Sequence, residues 1–292
     1  MGERLLARLR LDGMPVADYA DGSELDLILS PRPYLHPVRT LGGILVTDAQ
    51  PADHRWHLGI SVALQDVGGW NFWGGRTYVR GQGYVWRDDH GRIEHAGFEQ
   101  LGDDGFTERL HWLSAHGELL LTERREVKAR LAECGWELRL VTVLTNAAAR
   151  PIRLGSPATN GREGAGYGGL FWRLPPARTP HVYTATASGE HAVHNCTAQW
   201  LAWADRTAGF TLVFTAVNQA TRDDPWFVRV EDYPGVGSQL AARDSLTLPP
   251  GGAATRGLRT LLADGTLDLR AAQAWADATA PGEPYGFLPT PQ

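Results

Sequence analysis

"ELLLTERREVKARL" (118–131) and "CGWELRLVTVLTN" (134–146) both alternate apolar and polar residues with period two. A strand turns successive side chains to opposite faces, so this alternation reads as strand, not helix. The same pattern extends outward in both directions. "RLLARLRL" (4–11) puts Leu5, Ala7, Leu9 and Leu11 on one face and Arg8 and Arg10 on the other. "ELDLILS" (24–30), "GILVT" (43–47), "HLGISVAL" (57–64), "RTYVRGQGYVWR" (76–87) and "GRIEHAGFEQL" (91–101) continue it, as do "GLFWRLP" (169–175), "GFTLVFTAV" (209–217) and "TRGLRTLLADG" (255–265). Turn chemistry separates them at "DDHGR" (88–92), "GDDG" (102–105), "SAHGE" (114–118) and "PPGG" (249–252). Almost no helical pattern lies between the strands, which favours antiparallel meanders over βαβ units.

The exception is "TLDLRAAQAWADATA" (266–280), an alanine-rich stretch that Thr266 or Asp268 would cap. Leu269, Ala272 and Ala276 share one face, with Trp275 beside it, and the helix is expected to cover a sheet edge or an open end. The chain therefore reads as all-β: one large antiparallel β-sandwich domain over residues 1–292, with a C-terminal helix at about 266–280.

Composition narrows the function. The 292 residues suffice for a sizeable core, and a net charge of -5 gives no basic footprint for nucleic acid. No apolar run is long enough to span a bilayer, and "MGERLLARLRLDG" (1–13) has no secretory h-region. With Cys134 and Cys196 as the only cysteines, a cytoplasmic protein with free thiols is expected. Eleven tryptophans are a heavy load, serving binding surfaces as well as cores.

Four stretches concentrate chemistry. In "PADHRWHLGI" (51–60), His54 and His57 are three apart and would diverge on a strand. Pro51 and Asp53 make 51–57 a loop, where the histidines can converge and Asp53 can fix an imidazole tautomer. The pair can act as acid/base, or bind a metal with a third ligand from His36, His95 or His111, or simply satisfy loop carbonyls. In "RPYLHPVRT" (32–40), Arg32, His36 and Arg39 lie on an extended segment that Pro33 and Pro37 confine to an edge strand or an irregular crossing, either gripping ligand or wearing surface charge. In "GGWNFWGG" (68–75), Trp70 and Trp73 flank Asn71; they can stack on a sugar ring or bury into the core. In "TNGREGAGYGGLFWRLP" (159–175), Asn160, Arg162, Tyr167 and Trp172 accompany Glu163, the carboxylate to pair with a histidine, and a surface ion-pair loop is the alternative. The glycines follow no strand-to-helix step, so phosphate binding is not read from them. Glu123 is a reserve carboxylate; on a solvated sheet its segment needs only cross-strand ion pairs. No nucleophile elbow is present.

Arg32–Pro37, Asp53–Gly59, Asn71–Trp73 and Tyr167–Arg173, in that order, resemble the elements of a PmoA-like family of soluble bacterial proteins of unknown function. That label names a membrane-embedded oxygenase subunit, at odds with a chain lacking a span. What the resemblance implies is a supersandwich similar to galactose mutarotase-like proteins, folds that bind carbohydrates on a concave sheet, several with a His/Glu acid–base pair. No epimerase motif is recognisable here, so no residue role is carried over.

The expectation is a carbohydrate-active protein. His54 or His57 with Glu163 would move protons in isomerisation, epimerisation or elimination-type cleavage. Arg32, His36, Arg39, Asp53, Trp70, Asn71, Trp73, Asn160, Arg162, Tyr167 and Trp172 would line the sugar or glycoside site. No cofactor and no membrane or nucleic-acid partner is expected. The alternatives are a non-catalytic sugar-binding module and a metal-dependent lyase or hydrolase.

Overall fold

A computed structural model describes residues 4–177 and 180–278. Leu119–Ala132 and Gly135–Asn146 pair antiparallel without a register break, from Leu121 opposite Asn146 to Ala132 opposite Gly135. Gly135 closes this hairpin at φ +152°, and a Cβ there would lie 2.1 Å from the Leu262 carbonyl oxygen of the next strand. The hairpin sits inside an eight-stranded sheet. Its order is Pro180–Tyr183, Trp200–Asp205, Phe210–Ala216, Ala253–Asp264, Gly135–Asn146, Leu119–Ala132, Gly105–Leu113 and Arg92–Gly102. A seven-stranded sheet packs against it, ordered Leu5–Leu11, Met14–Ala20, Tyr34–Val38, Ile60–Ala63, Gly169–Arg173, Gly235–Ser238 and Trp226–Arg229. The paired strands of both sheets are antiparallel throughout. The molecule is the all-β antiparallel sandwich its alternation predicts.

The core lies between the sheets. Leu9, Val38, Ile60, Val62, Leu170 and Trp172 from one sheet meet Val127, Leu138, Leu140, Leu212 and Phe214 from the other. Burial of this apolar surface is the main favourable contribution to folding. The helix Leu269–Ala278 packs on the opposite face of the eight-stranded sheet. Asp268 caps it by accepting from the Ala271 N–H at 2.8 Å. Ala272 and Ala276 bury against Trp200, Ala202 and Leu261, while Leu269 stays half exposed at 51%. The helix thus covers a sheet face, not an edge or open end; residues 279–280 of the expected helix lie outside the described residues. Among the described residues no helix is long and apolar enough to cross a membrane.

Several expected strands are corrected. Residues 24–30 form turns and the 3-10 helix Leu27–Leu29; Leu27 and Ile28 are exposed, so the apolar run there has no sheet face to bury. Around 43–47 only an Arg39–Leu45 bridge forms, because the preceding turn is tied to Asp264, which accepts from Thr40 Oγ1 at 2.5 Å and Gly42 N–H at 2.9 Å. Of the two placements open to 32–40, the structure has the irregular crossing and not the edge strand. Tyr34–Val38 lies inside the seven-stranded sheet, and Pro37 falls where its pairing with Met14–Ala20 slips register, which absorbs the missing N–H. Nor are Glu123 and Arg125 solvated. Both are 1% exposed between the sheets, where Glu123 accepts from Arg125, Trp112 Nε1 at 2.8 Å and Thr142 Oγ1 at 2.9 Å.

Candidate functional site

Strand parity places the site. In Gly169–Arg173, Leu170 and Trp172 point into the sandwich, where the Trp172 ring meets Phe214 and its Nε1 donates to Val46 O at 2.8 Å. Phe171 therefore takes the outer face and packs with Ala63, Trp73 and Phe227. Trp56, Tyr167 and Tyr233 complete this outer aromatic cluster. Above it opens a cleft of about 740 Å³. Asp53, His54, His57, Trp73, Arg162 and Tyr167, drawn from three separate sequence stretches, all line it.

Residues 51–57 form the expected turns, with His54 N–H donating to Pro51 O at 3.0 Å and His57 N–H to His54 O at 2.8 Å. The turn brings the two imidazoles into a stack, with ring centroids 4.7 Å apart and planes 21° apart. His54 Nδ1 lies 2.8 Å from Asp53 Oδ2. Burial opposes the Asp53 carboxylate charge, but the His54 hydrogen bond and the nearby Arg173 hold its pKa below the ordinary value. His57 is buried at 1% exposure, and among the described residues its Nδ1 meets no hydrogen-bond partner. Burial first, then the neighbouring His54 imidazole and the positive Arg173 and Arg32, push its pKa well below the usual imidazole value, so the ring is neutral at neutral pH. Phe171 and Tyr233 each pack edge-to-face on it at 4.9 Å.

The surrounding loops are fastened from beneath. Arg32 is fully buried. It donates to the carbonyls of Leu29, Ser30, Trp56 and Trp73 and to Ser61 Oγ. Burial and the charge of Arg125 bring its pKa down to about 9. Arg32 thus clamps the Trp56 and Trp73 loops together and does not reach the cleft. Asn71 is fully buried too, its Oδ1 accepting from the Trp73 and Gly74 N–H groups. Gly74 and Gly75 follow with φ +95° and +70°, and a Cβ on Gly75 would lie 2.7 Å from the Trp56 indole. Glycine lets this turn close against the indole. On the other wall Tyr167 Oη accepts from Gln65 Nε2 and meets Tyr84 Oη, both at 2.9 Å. Arg162 Nη1 donates to Tyr84 Oη.

Other sequence candidates stand elsewhere. Glu163 is exposed and outside the cleft lining. Arg39 is exposed beside Gly43, to whose carbonyl it donates at 3.2 Å. His36 Nδ1 bonds Thr47 Oγ1 at 2.9 Å. Trp70 packs edge-on against His116, Asn160 bonds Asp66 and Arg153, and Trp172 is in the core. The suggested third metal ligands do not join His54 and His57, since none of His36, His95 and His111 lines the cleft. Among the described residues no three His, Cys, Asp or Glu side chains are grouped to hold a metal.

Several cleft residues carry no role in the sequence reading: Trp56, Gln65, Arg76, Tyr84, Trp86, Arg229 and Tyr233. Just behind the lining, Arg173 lies 3.8 Å from Asp53 and 4.0 Å from Asp48, under the Tyr233 ring at 5.2 Å. It is 3% exposed, and among the described residues its Nε and Nη1 make no hydrogen bond. The alternation of "GLFWR" carries a signal for Phe171 and Arg173, because choosing Trp172 for the core sends both to the other face. Nothing local marks Tyr233.

Residues 7–277 match a family model described as Family of unknown function (DUF6807). The chain belongs to that family. No curated protein matches this DUF6807 chain. It is similar in structure to a galactose mutarotase-like protein from Lactobacillus casei ATCC 334, with 10% identity over 89% of this chain and 100% of that one, TM-score 0.44. It is also similar to galactose 1-epimerase from Lactobacillus acidophilus NCFM, with 9% identity over 91% of this chain and 100% of that one, TM-score 0.40. A heparan sulfate lyase HepC mutant from Pedobacter heparinus is 10% identical over 91% of this DUF6807 chain, which spans 36% of that chain, TM-score 0.42.

Proposed function

We propose that the cleft binds a carbohydrate and that His54 exchanges a proton with it. The observation that carries this reading is the Asp53–His54 pair on the wall of an aromatic-floored cleft. With Nδ1–H donating to the carboxylate, Nε2 of neutral His54 is an acceptor, and its side chain is 30% exposed. Asp53 fixes the ring orientation and stabilises the imidazolium formed when Nε2 takes a proton. Neutral His57 serves as a stacking partner beneath His54, not as a second proton carrier. The partly exposed rings of Trp56, Tyr233 and Trp86 offer faces for the C–H side of a sugar. Arg76, Arg162 and Tyr84 supply donors for hydroxyls. Isomerisation, epimerisation and elimination-type cleavage all require such a proton transfer, and Asp53 takes the place first given to Glu163.

The test is a sugar and glycoside panel screened by melting temperature, then turnover of whatever binds. A ligand of the folded state raises the melting temperature by mass action. His54→Gln is expected to lower turnover by about 100-fold or more while leaving affinity within a few-fold. Unchanged turnover removes the catalytic role. Absence of any stabilising sugar removes the carbohydrate reading.

A further inference from the structure

We propose that the carbohydrate taken by this cleft carries an anionic group, a carboxylate or a phosphate ester, held by Arg76 and Arg162. The inference rests on the carbohydrate reading and specifies its substrate class.

The charges around the cleft are unevenly matched. Arg229 lies 3.6 Å from Glu190, Arg173 sits between Asp48 and Asp53, and Asp53 is engaged by His54. Asp232 adjoins Tyr233, whose ring touches both histidines, so the acids gather at the histidine end. Arg76 and Arg162 stand beside the hairpin Thr77–Val79 and Gly83–Val85, Arg76 just before it in sequence and Arg162 on its Tyr84. Among the described residues neither forms an ion pair with a carboxylate. Glu163, the acid next to Arg162 in sequence, makes no ion pair among the described residues and does not line the cleft. The exposed Arg80 adds a third positive charge nearby, since a Cβ on Gly161 would lie 2.9 Å from its Nε. A chain of net charge -5 thus keeps, among the described residues, an uncompensated positive cluster beside the hairpin that borders the cleft.

Both arginines are also positioned. The Arg76 guanidinium lies 5.7 Å from the centroid of the Trp86 ring, and that of Arg162 lies 4.8 Å from the centroid of Tyr84. Arg162 is further anchored by donating to Tyr84 Oη. Aromatic contact restrains each side chain without neutralising its charge, which leaves N–H donors for a ligand anion. Guanidinium forks match carboxylate and phosphate oxygens and bind them more strongly than neutral hydroxyls. A continuous wall links the hairpin to the histidines: Tyr84 meets Tyr167, Tyr167 packs on Trp73, Trp73 on His57, and His57 on His54. A ligand anchored by its anion at the hairpin would lie along this wall with its reacting carbon toward His54.

The experiment is calorimetric titration of the full chain, at fixed ionic strength, with glucose, glucuronate and glucose 6-phosphate, and with galactose, galacturonate and galactose 6-phosphate. At least one anionic sugar should bind about tenfold or more tighter than its neutral parent. Which anion does so separates carboxylate from phosphate. The preference should vanish in R76Q/R162Q, survive in part in R76K/R162K, and persist in H54Q. Neutral parents binding as tightly as the anions, or a preference that survives R76Q/R162Q, would overturn the inference while leaving the carbohydrate reading intact. No binding by any of the six sugars would overturn both.

Discussion

Arg125, between the two sheets, and Arg173, beneath the cleft, are both almost sealed from water, at 1% and 3% exposure. Arg125 has every nitrogen engaged. Its Nε and Nη2 reach Glu123 at 2.7 and 3.0 Å, and its Nη1 reaches Tyr19 Oη at 2.8 Å and Pro33 O at 3.2 Å. Burial alone would lower its pKa, but Glu123, Tyr19 and Glu108 outweigh that and raise it. Among the described residues, Arg173 has two nitrogens without a hydrogen-bond partner and carboxylates only at 3.8 and 4.0 Å. Burial lowers its pKa, with Asp53 and Asp48 opposing. The inner face uses charge as a closed network that ties the sheets together. The outer face leaves polar capacity unspent next to the Asp53–His54 pair. Unsatisfied buried donors are costly, and in a native structure they call for an explanation; a ligand-binding role for this face is one.

The comparison breaks most readily at Glu123. Glu123→Ala strands the buried Arg125 charge and should destabilise the fold by about 3–5 kcal/mol, read by chemical denaturation. Gly75→Ala should cost roughly 1–3 kcal/mol, because the new Cβ meets the Trp56 ring at a positive φ; loss of the near-ultraviolet Trp signal would accompany it. An acid titration gives a smaller effect. His194 Nδ1 accepts from Val228 N–H, and burial with Arg229 lowers its pKa to about 4 from an ordinary 6.5. The unfolded chain then binds a proton that the folded one refuses. Stability should be full above about pH 6.5 and fall as pH drops toward 4, with His57 adding to the loss in the same direction. His194→Ala should flatten that slope. The smallest effect is expected at Arg173. Arg173→Met should change stability by about 1 kcal/mol or less, since little is paired there to lose. A loss as large as that of Glu123→Ala would erase the contrast between the two faces.

The sequence shows which chemistry was legible and which was not. The turn at 51–57 could be read because a strand would split His54 from His57, and Pro51 and Asp53 break the strand. Trp73, Arg162 and Tyr167 were legible as aromatic and polar groups beside glycines. Arg32 and Asn71 were noticed for the right capacity, several hydrogen bonds each, but they spend it on loop carbonyls and N–H groups beneath the cleft. Donor count does not reveal whether the partner is ligand or backbone. Trp172 and Arg173 differ by one residue and face opposite sides of a sheet buried on both faces, so hydrophobicity could not choose between them.

The sequence by itself determined that this chain is an antiparallel β-sandwich with a capped C-terminal helix, because period-two alternation, turn residues and caps are local and act before any long-range contact forms. Only the tertiary structure decided which face of the seven-stranded sheet would carry the cleft and which residues would meet there. Tyr233 reaches His54 across most of the chain, and Glu163 misses it from a loop that supplies Arg162 to the same cleft. Such meetings depend on sheet order and register, which are set by how distant strands share one core, not by the pattern within any one of them.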